Sequence, residues 1–237
     1  MTETLTTLQQ TLPVALGFYD TRGKATGLVV VDEVNGFCTV GCGPLAPPVP
    51  NAQVSRMVAE TDRLARAFVE AQRPVAAFLD SHTPGKAEPP YPPHCEIGTG
   101  QENLVPELAW LDGHPQATLI RKDCINGFVG AIHDGGNRIT DWINRHKLET
   151  VVVVGICTDI CVMDFVLTLL SARNHDMLPT LRDIVVYEPG CATYDLPLGV
   201  ARSIGLPDTA THPQDEAHHM GLYVMASRGA VLANELA

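Results

Sequence analysis

The chain has 237 residues, of which 45% are hydrophobic, and its formal net charge is −11. This acidic balance argues against a nucleic-acid partner, because phosphates require a basic surface. No apolar run reaches the roughly 18 residues of a membrane span, and residues 1–10 lack the basic and apolar regions of a secretory signal. We therefore expect a cytoplasmic protein without a membrane partner, whose seven cysteines are free thiols.

The N-terminal half of the chain alternates strand-like and helical segments. Residues 1–24 are expected to form an arm with an entry strand or turn. The elements that follow are strands over 26–32, 74–80 and 117–122, each ended by a charged residue, and helices over 51–72 and 103–111. The glycine- and proline-rich segments 33–50 and 81–100 are expected to be loops. The first loop carries Cys38 and Cys42, whose spacing is only a weak zinc pattern.

The central segment begins with four consecutive valines, Val151–Val154. Because this run is apolar on both faces, it predicts a strand buried in a parallel sheet between two helical layers. Gly155 is expected to end the strand, and Thr158 or Asp159 to cap the helix that follows. Cys161 would then lie in the first turn of a helix, where the helix N-terminus lowers the pKa of a thiol. It is either a nucleophile or a buried structural thiol.

The C-terminal part predicts a strand over 183–188, a loop with a short helix over 189–211, and a helix over 212–227. In this last helix, His218 and His219 are interpreted as surface or packing residues. Strands that alternate with helices predict an α/β fold in three layers, with a mostly parallel sheet and helices on both faces. No linker divides the chain, so residues 1–237 are expected to form one domain with a core over about 25–229.

Three reactive side chains follow the predicted strands: Asp32, Lys122 and Cys161. The carboxyl ends of parallel strands share one edge of the sheet, where ligands bind in such folds. Taken singly, the acid could be a cap and the lysine a surface charge. Together they suit covalent catalysis, in which Asp32 takes the thiol proton and later returns it to a leaving amine, while Lys122 stabilises the thiolate. The oxyanion would need two donors, for which the N–H groups of Cys157 and Cys161 are candidates.

A second group of candidate residues lies in and beside the proline-rich loop. Asp80 and His82 share one face of an extended segment, and His94 could return to complete three nitrogen and oxygen ligands. Three protein ligands with open positions are typical of an accessible metal site. Zinc, iron and manganese all accept such ligands. Glu88 is a candidate fourth ligand and Cys95 a competing soft one; alternatively, the two histidines only pack against prolines.

These segments resemble those of known enzymes. Residues 31–37, 121–123 and 155–162 resemble the three catalytic segments of the isochorismatase-like cysteine hydrolases, and residues 80–82 and 91–95 resemble the metal segment of nicotinamidases. The resemblance covers roughly residues 27–229. The segments that look like the plant-type nicotinamidases are Asp80–His82, Glu88–Cys95, Arg121–Phe128 and Gly190–Pro197.

The resemblance implies a six-stranded, mainly parallel sheet and the hydrolysis of nicotinamide to nicotinate and ammonia, through a cysteine thioester, in NAD salvage. It also implies one divalent metal ion, with zinc expected before iron or manganese, that holds the pyridine nitrogen of the substrate. The Ile156–Cys157 peptide bond would be cis. The implied site residues are the triad Asp32, Lys122 and Cys161, oxyanion donors at Cys157 and Cys161, ring contacts from Phe37 and Tyr91, and metal ligands Asp80, His82 and His94, with Glu88 as a fourth candidate.

Two positions depart from the pattern of the family. Val34 stands where many members carry glutamine, and Cys157 stands where many carry alanine. The alternatives are therefore a related cysteine amidase for another small amide, such as pyrazinamide or an N-carbamoyl compound, and a non-catalytic binding protein on the same scaffold. Assembly into a homo-oligomer is left open, because an exposed apolar face cannot be identified from one sequence.

Overall fold

The structure is a computed structural model that describes residues 2–86 and 88–237. Within these residues the strands are β1 Gly17–Tyr19, β2 Thr26–Val31, β3 Val75–Asp80, β4 Ala117–Lys122, β5 Ile132–His133, β6 Gly136–Asn137, β7 Thr150–Ile156, β8 Asp183–Ala192 and β9 Val231–Leu236. Seven of them form one parallel sheet in the order β1–β9–β8–β7–β2–β3–β4, and β5 and β6 form a small antiparallel hairpin. The valine-rich strand β7 is thus the middle strand of the sheet.

Helices cover both faces of this sheet. Their bounds in the described residues are α1 Glu3–Thr11, α2 Asn35–Cys38, α3 Ala52–Glu70, α4 Gly127–Gly130, α5 Arg138–Arg145, α6 Met163–Asn174, α7 Leu198–Ser203 and α8 Gln214–Ser227, with short 3₁₀ helices at Pro106–Leu111 and Asp208–Ala210. Val151 and Val153 pack in the core beneath α5, α6 and α8, whereas Val152 and Val154 pack in the core beneath α3. The predicted three-layer α/β fold is confirmed, and the four valines are buried because each lies against one of the two helical layers.

The two ends of the chain contain elements that the sequence did not predict. Strand β9 pairs with β8 and β1, so the sheet has seven strands rather than six. Only Leu232 and Ala233 of β9 are buried, and exposed Asn234 and Glu235 follow them, so the short apolar run 230–233 was not enough to predict this strand. The predicted arm over 1–24 contains the unpredicted helix α1, whereas β1 agrees with the entry strand expected there. Among the described residues, no helix combines the length and the apolar character needed to cross a membrane.

The prediction that Gly155 ends the central strand was wrong, because β7 continues to Ile156. Gly155 has a φ of 127°, and a Cβ at this position would lie 2.1 Å from the backbone oxygen of Val31. Glycine is required here because β2 and β7 approach each other too closely for a side chain. The glycine therefore brings the end of β2, where Asp32 follows, next to the turn that follows β7.

Strand β8 is longer than predicted and reaches Ala192 instead of ending at Glu188. The pairing of β7 with β8 is interrupted between Val153 and Gly155. Such an irregularity allows Pro189 to lie within a strand, since proline cannot donate to a regular ladder. Helix α2 likewise lies inside the segment 33–50 that was expected to be loop. The remaining predicted elements agree with the structure to within a few residues.

Candidate active site

The three neighbouring strands β2, β3 and β4 bring charged side chains together at their carboxyl ends. Asp80 and Lys122 are paired residues in the register of β3 and β4, and Asp32 follows β2. The Nζ atom of Lys122 lies 2.8 Å from Oδ2 of Asp32 and 3.1 Å from Oδ1 of Asp80. The side chains of Lys122 and Asp32 have no exposed surface. The ammonium group therefore bridges two carboxylates in a buried environment, where ion pairs are screened little.

Burial and charge act differently on the three groups. Burial raises the pKa of Asp32 to about 6, against the attraction of Lys122. Burial would also raise the pKa of Asp80, but Lys122, His82 and His94 lower it below its usual range. Burial would lower the pKa of Lys122, but the negative charges of Asp32, Cys161 and Asp80 raise it well above the usual value. Asp32 is thus the carboxylate of this group that can take up and release a proton near neutral pH.

Cys161 lies in a turn between β7 and α6. Thr158–Val162 form one π-helical turn, and α6 begins at Met163. The Ile156–Cys157 peptide bond that precedes the turn is cis, as the resemblance implied. Burial raises the pKa of the Cys161 thiol well above its usual value, although Lys122 opposes the shift. The expected lowering of this pKa by a helix N-terminus was therefore wrong, because the desolvation of a buried thiol outweighs it. A thiol with a raised pKa needs a base to remove its proton before it can attack.

The prediction that Thr158 or Asp159 caps a helix was also wrong, because their side chains bond to distant segments. Thr158 Oγ1 lies 2.8 Å from Nδ1 of His218. Asp159 accepts a hydrogen bond of 2.7 Å from the hydroxyl of Thr193, and its other oxygen lies 2.8 Å from Nε2 of His212. Neither α6 nor the turn has a side-chain cap. Contacts with the C-terminal part of the chain hold the turn instead.

Four side chains beside the ion pair could hold a metal ion: Asp80, His82, Glu88 and His94. Oδ2 of Asp80 lies 3.0 Å and 3.2 Å from the Nε2 atoms of His82 and His94. Oε2 of Glu88 lies 3.6 Å from each of these nitrogen atoms. Such separations suit ligands at about 2.1 Å from a shared ion. The predicted ligands are thus brought together, and the candidate Glu88 lies with them.

The charges of the side chains around this site also suit a bound cation. Burial would lower the pKa of His94, but its hydrogen bonds with Asp80 and Glu88 raise it to about 10. The site therefore favours a positive charge between its carboxylates, and a divalent ion could take the place of the proton. Nδ1 of His94 lies 2.7 Å from the carbonyl oxygen of Pro92, so this nitrogen donates and Nε2 is left to bind the ion.

The cysteines outside the nucleophile turn do not join this group of ligands. Cys95 is buried, and its Sγ atom lies against Gly36, 2.5 Å from where a Cβ would stand. Burial raises the pKa of both Cys95 and Cys38 well above the usual range, which disfavours the thiolate that binds metals. Within residues 2–86 and 88–237, neither Cys95 nor the Cys38 and Cys42 pair belongs to a group of metal-binding side chains.

Aromatic rings lie next to His94 and His212. The ring centres of Phe37 and Tyr91 lie 5.6 Å and 6.1 Å from that of His94. Tyr194 was not singled out from the sequence, yet it stacks on His212 at 3.8 Å and 15°. Because His212 contacts Asp159 of the nucleophile turn at 2.8 Å, this stacking places Tyr194 near the turn. Tyr194 lies in segment 190–197, which resembles the plant-type nicotinamidases, and this resemblance was the sequence feature that could have identified it.

Comparisons with known proteins agree with this geometry. The isochorismatase domain family matches residues 26–234. Nicotinamidase 1 of Arabidopsis thaliana is 54% identical over 216 residues, which cover 91% of this chain and 88% of that protein. The nicotinamidase/pyrazinamidase of Mycobacterium tuberculosis is 31% identical over 147 residues, which cover 57% of this chain and 73% of that protein.

Solved structures share the fold at lower sequence identity. A nicotinamidase from Bacillus subtilis has a TM-score of 0.65 and 21% identity, with 88% of this chain and 98% of that chain covered. A pyrazinamidase from Pyrococcus horikoshii, solved in complex with zinc, has a TM-score of 0.62 and 19% identity over 88% of this chain and 98% of that chain. From the domain match over most of its length and the identity to the Arabidopsis protein, the chain belongs to the isochorismatase family.

Proposed function

We propose that the protein is a nicotinamidase, which hydrolyses nicotinamide to nicotinate and ammonia and so serves NAD salvage. Its family and the 54% identity to the Arabidopsis nicotinamidase support this activity. The observation that carries the mechanism is the buried contact of 2.8 Å between Lys122 and Asp32 beside the Cys161 thiol. A base, a cation and a nucleophile at one edge of the sheet are the groups that acyl transfer from a small amide requires.

In this mechanism Asp32 accepts the proton of the Cys161 thiol. The sulfur attacks the amide carbon, the carbon–sulfur bond forms, and Asp32 returns the proton to the nitrogen as ammonia leaves. A water molecule then attacks the thioester, with Asp32 again as the base, and nicotinate and the free thiol are released. Lys122 remains charged throughout and stabilises both the thiolate and the carboxylate. The pKa of about 6 at Asp32 suits a group that both takes and returns a proton near neutral pH.

The remaining predicted residues have roles in binding the substrate. The backbone N–H groups of Cys157 and Cys161 are proposed to stabilise the oxyanion that forms on the amide oxygen. Phe37 and Tyr91 are proposed to contact the faces of the pyridine ring. Both side chains lie next to His94, so a ring held between them would also reach the metal ligands.

We further propose that Asp80, His82, His94 and Glu88 bind zinc, with iron and manganese as the alternatives. The separations of 3.0–3.6 Å among their ligand atoms and the mixed nitrogen and oxygen donors support this choice. The zinc complex of the Pyrococcus pyrazinamidase, which shares the fold, is consistent with it. When bound, the ion would supply a Lewis acid for the ring nitrogen of the substrate. We also propose that the chain acts as one domain, since β1 and β9 pair its two ends.

Replacement of the nucleophile tests the proposed function. We expect Cys161→Ala to lower ammonia release from nicotinamide by at least about 10³-fold, since removal of a nucleophile leaves only binding effects. Cys42→Ala is the matched control, because Cys42 is a partly exposed thiol outside the ligand group and the turn. Ammonia release from nicotinamide by the Cys161 variant at the rate of the control would reject the mechanism.

A substrate panel separates nicotinamide from the other small amides. The wild-type protein should hydrolyse nicotinamide and pyrazinamide, which both carry a ring nitrogen that can bind a metal, faster than N-carbamoyl compounds. The Mycobacterium relative is named for both ring amides, which makes pyrazinamide the relevant second substrate. A protein without preference for ring carboxamides would instead be an amidase for another substrate.

A further inference from the structure

The turn that carries Cys161 is connected to the opposite side of the fold by a chain of polar contacts. Thr158 Oγ1 lies 2.8 Å from Nδ1 of His218, and Nε2 of His218 lies 3.3 Å from Oε1 of Glu188. Nη2 of Arg56 donates to the same Glu188 oxygen at 2.9 Å. The contacts thus run from the turn through α8 and β8 to α3. Thr158 is completely buried and His218 is 8% exposed.

The chemistry of these groups determines which atom donates and which accepts in each of these contacts. Burial would raise the pKa of Glu188, but His218 and Arg56 lower it, so this carboxylate is ionised. An ionised carboxylate can only accept, and Nε2 of His218 must therefore donate to it. In the neutral imidazole Nδ1 then carries the lone pair, and the hydroxyl of Thr158 donates to Nδ1. Each member fixes the orientation of the next.

A hydroxyl, an imidazole and a carboxylate in this order also occur in serine hydrolases, where the hydroxyl attacks the substrate. Thr158 has no such role in the proposed mechanism, because the nucleophile is Cys161 and the buried Thr158 side chain contacts α8. Thr158 is linked to the reaction by its position, because it follows Cys157 directly and lies in the same turn as Cys161. A contact that fixes Thr158 therefore also fixes the backbone of the turn.

A close approach of the backbones supports the same conclusion. A Cβ on Gly221 would lie 2.7 Å from Cα of Asp159 and 2.9 Å from its backbone nitrogen. Gly221 is three residues after His218, on the same face of α8. Helix α8 therefore contacts the turn at two successive positions, once through a side-chain hydrogen bond and once through direct backbone packing.

We propose that Thr158, His218 and Glu188 are positioning residues, which hold the turn so that the sulfur of Cys161 faces the amide carbon and the backbone N–H groups of the turn face the amide oxygen. This inference rests on the proposed function and adds to it residues that do not touch the substrate. It means that His218 affects the rate of the reaction, although the sequence alone suggested that it was a surface or packing residue.

The first variants change only the hydroxyl of Thr158. Thr158→Val keeps the shape of the side chain and removes the donor to His218, whereas Thr158→Ser keeps the donor. We expect Thr158→Val to lower kcat about 10-fold or more, because small displacements of reacting groups are costly. KM should change by less than about threefold, since the turn supplies transition-state contacts rather than ring contacts. Thr158→Ser should recover most of the lost kcat.

The second pair of variants compares two adjacent histidines. His218 and His219 are both 8% exposed and lie on the same helix, but Nε2 of His219 bonds to the carbonyl oxygen of Leu12, away from the turn. We expect His218→Phe to lower kcat as Thr158→Val does, and His219→Phe to leave kcat unchanged. The double variant of Thr158 and His218 should be no slower than either single variant, because residues that act as one unit are not additive. Equal kcat values for wild type, Thr158→Val and His218→Phe would overturn the proposal.

A second measurement does not depend on the identity of the substrate. The alkylation rate of Cys161 by iodoacetamide at neutral pH, followed on its own peptide, should fall at least about threefold in Thr158→Val and recover in Thr158→Ser. The reason is that a displaced sulfur loses the stabilisation of its thiolate by Lys122. A wild-type protein that releases no ammonia from nicotinamide would reject the proposed function alone. Unchanged alkylation in Thr158→Val would then overturn the positioning role by itself.

Discussion

The two halves of the site are organised by different physical means. In one half, Asp32, Asp80 and Lys122 lie at the ends of the adjacent strands β2, β3 and β4, and Lys122 contacts both carboxylates directly. In the other half, the side chains of Thr158 and Asp159 form hydrogen bonds with side chains from the C-terminal part of the chain. We call these the charged half and the turn half. The sheet itself places the charged half, whereas packing between distant elements places the turn half.

This difference determines how substitutions in each half should affect stability and activity. The charged half contains ionised groups without access to water, and such a group is costly when it loses its partner. The turn half is held by hydrogen bonds of the Thr158 and Thr193 hydroxyls, by the partly buried contact of 2.8 Å between His212 and Asp159, and by backbone packing. Loss of one hydroxyl hydrogen bond there costs about 1 kcal/mol. Substitutions in the charged half should therefore strongly affect both folding and activity, whereas those that remove one hydroxyl hydrogen bond from the turn half should mainly affect activity.

Removal of the bridging ammonium should have the largest effect. Lys122→Met leaves the carboxylates of Asp32 and Asp80 buried without their shared cation. We expect the free energy of unfolding to fall by about 3 to 5 kcal/mol and kcat for nicotinamide to fall by on the order of 10³-fold, because thiolate and base both lose their partner. Denaturant unfolding and ammonia release would measure the two effects.

Lys86→Met is the control for this substitution. Lys86 pairs with Asp123 at the surface, where both side chains are well exposed, and exposed pairs contribute little to stability. Its unfolding midpoint and activity should match those of the wild type. If the two lysine variants were equally stable, the charged half would not depend on buried ion pairs, and the comparison between the halves would be wrong.

Metal removal should affect the charged half to a smaller extent. A chelator is expected to lower Tm by on the order of 5 °C, because an ion that binds only the folded protein stabilises it by mass action. Activity should fall about 100-fold and return when zinc is added. Differential scanning calorimetry with and without the chelator would measure the effect on Tm independently of activity.

Two histidine variants show whether this response comes from the proposed ligands. His94→Ala should lower Tm and abolish the response to the chelator, since it removes one of four ligands. His133→Ala should keep the full response, because His133 is 73% exposed and is not part of the ligand group. A response that persisted in the His94 variant would place the ion elsewhere in the protein.

The charged half is also the part of the site that the sequence predicted well. Asp32, Lys122 and the Asp80–His82 pair each follow an apolar, β-branched segment, and parallel strands bring such positions to one edge. Local sequence therefore contains most of the information that places them. The resemblance to known enzymes supplied the roles proposed for Phe37 and Tyr91, which no periodicity indicates.

The turn half was predicted poorly for a physical reason. Thr158 and Asp159 have the short oxygen-bearing side chains of helix caps, so local sequence favoured that role. Their actual partners are 60 residues away for Thr158 and 34 residues away for the Thr193 contact of Asp159. Nothing in a single sequence shows which distant side chain will compete for such a group. The same limit concealed β9, whose pairing with β8 compensates for its few buried side chains.

The smallest predicted effect concerns the packing of α8 against the turn. Gly221→Ala places a methyl group 2.7 Å from Cα of Asp159, so α8 or the turn must move. We expect a loss of about 1 to 3 kcal/mol in stability from this overpacking and a fall in kcat of roughly three- to tenfold with little change in KM.

Gly199→Ala is the matched control for this change, because a Cβ on Gly199 in α7 would meet no atom within 4 Å. Alanine is the better helix former by up to about 1 kcal/mol, so the control should be as stable as the wild type or slightly more stable, with the same kcat. A lower kcat in Gly221→Ala at a temperature where both variants are fully folded would show that activity depends on where α8 holds the turn. If kcat stayed at the wild-type value while stability fell, α8 would support the fold without setting the position of Cys161, and the two halves would differ in stability alone.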